Sequence, residues 1–122
     1  MGGTARGATR PCRGARDTTP PRADRPRQIP YRLYFAGTTT TWGGAPAFID
    51  IVESPSTPAP TRVRAYLITW DQFEDVVAQE NNRRETSPID PALADLAVGS
   101  SHRLGSGRYE NLLCVGRDGD VP

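Results

Sequence analysis

The sequence predicts an α+β fold in which short strands surround one main helix. Three observations carry this: a period-two alternation over 31–36, a β-branched and aromatic run over 63–69, and a helix start directly after it at Trp70. At 122 residues the chain has room for one domain with one core. The apolar share is low, 36%, and 12 glycines with 12 prolines imply short elements separated by many turns.

The N-terminal third is a different kind of sequence. Residues 1–32 hold eight arginines against Asp17 and Asp24, a net +6, which leaves −5 for the remainder of a chain whose total is +1. Almost no large apolar side chain precedes Ile29, so burial cannot offset the entropy of ordering, and a disordered Arg/Pro/Gly-rich arm is expected over 1–28. The folded part is expected over 29–122. Nucleic acid is not an expected partner: Pro20, Pro21 and Pro26 interrupt the arginines, which share no helical face and no interleaved aromatics. All 15 basic residues are arginine, a compositional bias that implies no particular chemistry.

The first 28 residues lack the apolar core of a secretory signal, and no run has the length of a membrane span, so a cytoplasmic protein without membrane contact is expected. Cys12 and Cys114 have no metal-ligand spacing between them, and both are read as reduced thiols.

Taken in order, Tyr31, Leu33 and Phe35 alternate with Arg32, Tyr34 and Ala36 as a half-buried strand that Pro30 opens and Gly37 closes. Thr38 to Thr41 is a polar connection, and the paired glycines of Trp42-Gly43-Gly44 allow a tight bend. Ala47 to Val52 is a second strand. Residues 54–61, SPSTPAPT, form a proline-punctuated loop that delivers the chain to a third strand, Val63 to Thr69. Thr69 then caps a helix: Gln72 stands at the capping-box spacing, and Asp71, Glu74 and Asp75 place negative charge where the helix dipole favours it.

Phe73, Val76 and Val77 recur at the i, i+3, i+4 spacing, and Glu80 falls on the same face. A carboxylate held against apolar walls has a raised pKa and can serve as general acid or base near neutral pH. The alternative is that Glu80, at a helix end, turns to water or meets Arg83 or Arg84. Beyond a polar loop, Pro91 to Val98 reads as a short packing helix with Asp90 as N-cap, Pro91 at its first position and Gly99 as its stop. His102, the single histidine, lies among Ser and Gly and is expected in a solvated loop; neither a serine triad nor a zinc site has partners at suitable spacing. Gly105-Ser106-Gly107 is too short for a dinucleotide fingerprint. Tyr109 to Val115 is a fourth strand, followed by an Asp118-Gly119 hairpin turn. A return strand after that turn is lacking, which leaves an apolar edge open to self-association and implies a fragment of a longer domain.

The order Leu33-Tyr34-Phe35, Trp42-Gly43-Gly44-Ala45, Ala47-Phe48-Ile49, Arg64-Ala65-Tyr66-Leu67-Ile68, Gln79-Glu80 and Gly107-Arg108-Tyr109 resembles the γ-glutamylcyclotransferase family over about Tyr31 to Val115. The resemblance implies a small mixed β-barrel or sheet with one main helix, no cofactor and no metal. It also implies a small-molecule γ-glutamyl substrate that cyclises to 5-oxoproline. Glu80 falls where that family has its general acid/base. Tyr109 matches a tyrosine near the family's pocket, or is a core or rim aromatic; Trp42 lines the pocket or fills the barrel. The family's Tyr-Gly-Ser-Asn type substrate loop has no counterpart in residues 1–30, so the chain is expected to match the middle of the domain with both ends absent and to be inactive as it stands. Two alternatives stand beside the enzyme: a non-catalytic fragment, and an interaction module using its basic arm. A histone deacetylase assignment lacks support, because zinc deacetylation needs a His and Asp ligand set that one histidine cannot supply.

Overall fold

The computed structural model describes residues 13–39, 44–52, 60–119 and 121–122. Their elements in chain order are β1 (Ala23–Ile29), β2 (Arg32–Phe35), β3 (Ala47–Asp50), β4 (Thr61–Leu67), α1 (Trp70–Glu80), a 3₁₀ turn (Pro91–Asp95), β5 (Ser101–Arg103) and β6 (Asn111–Leu113). The fold is α+β. The strands form three separate antiparallel pairs, β1–β4, β2–β3 and β5–β6, and among the described residues they make neither a closed barrel nor one mixed sheet. Two compact units are present: Pro21–Leu67, and Arg13–Pro20 together with Ile68–Pro122.

Pro21–Leu67 is all β. In β1–β4 the register runs from Ala23 opposite Leu67 to Ile29 opposite Thr61, and the Arg22 N–H extends it by donating to the Leu67 carbonyl at 2.8 Å. This strand takes up the last six residues, 23–28, of the segment expected to be disordered. A strand in a two-stranded ribbon needs no continuous apolar face, and Pro26 is tolerated because one edge of β1 requires no donor. The Arg64–Asp24 pair, at 2.8 Å, lies along the same ribbon. In β2–β3, Tyr34 stands opposite Phe48 and their rings stack with centroids 5.6 Å apart. All four residues of β2 are exposed, so the alternation over 31–36 gives the strand but not a buried face.

The second unit is built on α1. Its N-terminus is the predicted capping box: Thr69 Oγ1 accepts from the Gln72 N–H at 3.2 Å, and Gln72 Oε1 accepts from the Thr69 N–H at 2.9 Å. The buried face meets the predicted one at Val77 but is otherwise different. Gln72, Glu74, Asp75, Val77 and Ala78 are buried, while Val76 is 46% exposed and Glu80 is exposed. At 100° per residue this arc is turned by roughly half a revolution from the Phe73–Val76–Glu80 side. Polar side chains fill it because residues 13–19 run along it as a strap and satisfy them.

The contacts of that strap are specific. Gln79 reads the Gly14 peptide at both ends, accepting from its N–H at 3.1 Å and donating to its carbonyl at 3.0 Å. Gln72 donates to the carbonyls of Asp17 and Thr19. Arg16 donates from its backbone N–H to Asp75 at 2.7 Å and from its guanidinium to Asp75 and Glu74. Among the described residues of this unit, the buried apolar side chains are Val77, Ala78, Ile89 and Cys114.

Beyond α1, Asp90 caps the 3₁₀ turn as predicted, but the turn is shorter than the expected helix over 91–98 and ends at Asp95. Gly99 takes φ +82° and donates to the Cys114 carbonyl at 2.7 Å. The β5–β6 hairpin places His102 in a strand opposite Leu112, where a solvated loop is predicted. The Asp118–Gly119 turn closes through reciprocal Asp118–Val121 hydrogen bonds of 2.8 and 3.3 Å.

Candidate functional site

The end of α1 gathers the chemistry-bearing groups. Helices end here by a Schellman arrangement when a residue enters the left-handed region, and Asn82 does so at φ 56°. Its N–H donates to the Gln79 carbonyl at 3.0 Å, and the Arg83 N–H donates to the Ala78 carbonyl at 2.8 Å. Glu80 is therefore the last helical residue of a well-capped end, with its carboxylate exposed to solvent. The expectation of a carboxylate against apolar walls does not hold.

Asn81 links this end to the loop over 105–110. Its Nδ2 donates to the Val77 carbonyl at 2.9 Å, while its Oδ1 accepts from the Tyr109 N–H at 3.0 Å. Tyr109 itself is 45% exposed. Beneath it, Glu110 is fully buried and carries a full set of partners: Arg83 pairs with one carboxylate oxygen, and the Gly107 N–H donates to the other at 2.6 Å. The Glu110 carbonyl accepts from the Leu104 N–H. This close packing requires glycine. A Cβ at Gly105 would meet the Glu110 carboxylate, and one at Gly107 would meet both Asn81 and Glu110. The Gly-Ser-Gly stretch thus serves close approach rather than phosphate binding.

A second buried carboxylate, Asp75, lies one turn and a half from the helix end. Burial pushes its carboxyl up, but hydrogen bonds from Thr86 and from Arg16, with the charge of Arg16, outweigh this and hold it below the ordinary carboxylate value. The Arg16 guanidinium is raised in turn, chiefly by its bond to Asp75 and then by Glu74. Glu74 also accepts from the Ile89 N–H at 2.8 Å. All four groups are committed to holding the strap and the 86–89 segment on α1.

A cavity of about 80 Å³ is lined by Glu74, Val77, Ala78, Arg83, Ser87, Pro88, Ile89 and Leu104. It is several-fold smaller than pockets that enclose small organic ligands, which begin at about 300 Å³. An exposed carboxylate at a fixed helix end is the better candidate. Of the three residues singled out from sequence, Glu80 and Tyr109 flank or contact Asn81, while Trp42 lies outside the described residues. Sequence reasoning missed Asn81 and Glu110 and offered Arg83 as a partner for Glu80, whereas it pairs with Glu110; the usable signal was Gly105-x-Gly107 three residues before a glutamate, a spacing that suits backbone donation to a carboxylate. Among the described residues no group of three His, Cys, Asp or Glu side chains is placed to hold a metal ion, and no helix is long and apolar enough to cross a membrane.

No protein-family profile and no solved structure matches this chain. Histone deacetylase 5 of Arabidopsis thaliana is 32% identical over 130 residues, an alignment that spans the whole of this chain and 19% of that protein. The chain therefore covers about a fifth of the length of the curated relative it matches.

Proposed function

We propose that Glu80 is the general acid/base of a γ-glutamylcyclotransferase-like site, acting on a γ-glutamyl amine in a fold of that family's kind. What supports this reading is the resemblance, which puts Glu80 where that family has its acid/base, together with a Glu80 carboxylate open to a substrate on a capped helix end that Asn81 ties to the Tyr109 backbone. The α-amine of the substrate attacks its own γ-carbonyl carbon, forming the ring C–N bond, and gives up a proton to Glu80. Collapse of the tetrahedral intermediate breaks the γ-amide C–N bond, and Glu80 returns the proton to the departing amine. One carboxyl group serves both transfers, and the products are 5-oxoproline and the free amine. Because the attack is intramolecular, the protein supplies positioning and proton transfer, and no redox or group-carrying cofactor enters the balance.

The name of the Arabidopsis protein describes a chain about five times as long as this one. We do not carry deacetylation over: the match spans 19% of that protein, and among the described residues no group of three His, Cys, Asp or Glu side chains is placed to hold a metal ion.

The test is 5-oxoproline release from a series of γ-glutamyl amines, measured by mass spectrometry on the 122-residue chain and on a chain extended through its flanking coding sequence. Release is expected from the extended chain, with a loss of about 10²- to 10⁴-fold in Glu80→Gln. Turnover unchanged in that variant removes Glu80 from the mechanism.

A further inference from the structure

We infer that Asn81 is a positioning residue, whose side-chain amide sets the distance between the Glu80 carboxylate and the loop bearing Tyr109. The inference rests on the acid/base reading of Glu80 given above.

Three observations carry it. The amide uses both of its ends: Nδ2 donates to the Val77 carbonyl of the last helical turn, and Oδ1 accepts from the Tyr109 N–H, 28 residues away in sequence. The backbone N–H of Asn81 also donates to the Val77 carbonyl, at 3.2 Å, so main chain and side chain are fixed on the same acceptor. The side chain is half-buried and lies against Gly107 so closely that a Cβ there would meet it, so the loop backbone and the amide are in direct contact. On one side of this residue the chain is Glu80. On the other side of its hydrogen bond the chain is Tyr109, and the next residue, Glu110, is buried and pinned by Arg83 and Gly107.

No other donor or acceptor pair between α1 and the Tyr109 backbone is seen among the described residues. Arg83 reaches Glu110 from beyond the helix end, and so anchors the loop without fixing the angle at which α1 presents Glu80. The amide is suited to this task because an acceptor and a donor sit about 2.3 Å apart on one rigid plane; a hydroxyl carries both on a single atom, and a carboxylate at neutral pH only accepts. Catalytic geometry is sensitive at this scale, since a displacement of about 1 Å costs on the order of a hundredfold in rate.

The experiment combines kinetics with amide hydrogen exchange on the extended chain and its Glu80→Gln, Asn81→Ala and Asn81→Asp variants. Asn81→Ala is expected to lose about tenfold to a hundredfold in kcat with KM held within about twofold, and to speed exchange of the Tyr109 N–H. Asn81→Asp keeps the acceptor for Tyr109; its Tyr109 N–H stays slow and it recovers part of the lost kcat. If Asn81→Ala keeps wild-type kcat while Glu80→Gln is inactive, the positioning role is wrong and the acid/base reading stands. If Glu80→Gln keeps turnover, or no chain releases 5-oxoproline, the acid/base reading fails and the inference fails with it. Equal loss of kcat in Asn81→Ala and Asn81→Asp, with Tyr109 exchange unaltered in both, also overturns the positioning role.

Discussion

Asp75 shows how a single buried charge is stabilised in this protein. Its side chain has no solvent exposure, yet it is held ionised by Thr86 and by the backbone and guanidinium of Arg16. Its folded-state carboxyl lies below the ordinary value of 3.8, so ionised Asp75 contributes stability that is fully present above that value. The contribution is lost as pH falls below 3.8 and through the folded value. Asp75→Asn keeps the size and one acceptor but removes the charge. We expect it to lower the urea-unfolding free energy by about 1–3 kcal/mol at pH 7. The gap to the wild type should close as pH is lowered below 3.8. A gap that stays constant from pH 7 to pH 3 would show that the charge of Asp75 is not what the fold uses.

At the scale of elements, what was legible in the sequence was local. The capping box at Thr69 and Gln72, the Asp90–Pro91 start of the 3₁₀ turn, and the turn at Asp118–Gly119 all depend on neighbours within four residues, and all form. What was illegible depended on distant partners. Periodicity put Phe73, Val76, Val77 and Glu80 inside; of these the structure buries Val77 and half-buries Phe73, and it also buries Gln72, Glu74 and Asp75, whose upstream hydrogen-bonding partners lie 53 to 59 positions away. β1 was illegible for the same reason, since its partner β4 begins 32 residues after β1 ends and its own residues carry no alternation. The Schellman end at Asn82 is a local motif, and it supports a prediction. Only glycine and, less readily, asparagine adopt the left-handed conformation there without strain. Asn82→Ala should destabilise the protein by about 1 kcal/mol, and Asn82→Gly should be neutral or slightly stabilising by thermal melting. Equal melting temperatures for the two variants would mean that the helix end is not held in this form.

For the whole molecule, the charge separation in the sequence has a structural use. An N-terminal excess of +6 followed by −5 looks like a basic arm available to an external polyanion. Within the unit of Arg13–Pro20 and Ile68–Pro122, the strap instead lies on α1, whose sequence holds Asp71, Glu74, Asp75 and Glu80 and no basic residue. Arg16 is spent on Glu74 and Asp75, and Arg13 donates to the Arg84 carbonyl and to Thr86. The strap therefore belongs to the fold of this unit. A chain beginning at Arg13 retains it, and a chain beginning at Pro21 removes it; both lack Cys12, so Cys114, buried in this unit, is the sole thiol and its alkylation rate reports opening. Loss of the strap removes the bonds that Gln72, Glu74, Asp75 and Gln79 make to residues 14–19, each a cost of about 1–3 kcal/mol where water cannot replace the bond. Labelling of Cys114 is expected to accelerate at least about a hundredfold in the chain that starts at Pro21. Arg16→Ala in the longer chain should fall between the two, because the Gly14 and Asp17 backbone contacts with Gln79 and Gln72 persist. Equal labelling rates in the two truncated chains would return residues 13–20 to the status of an arm outside the fold.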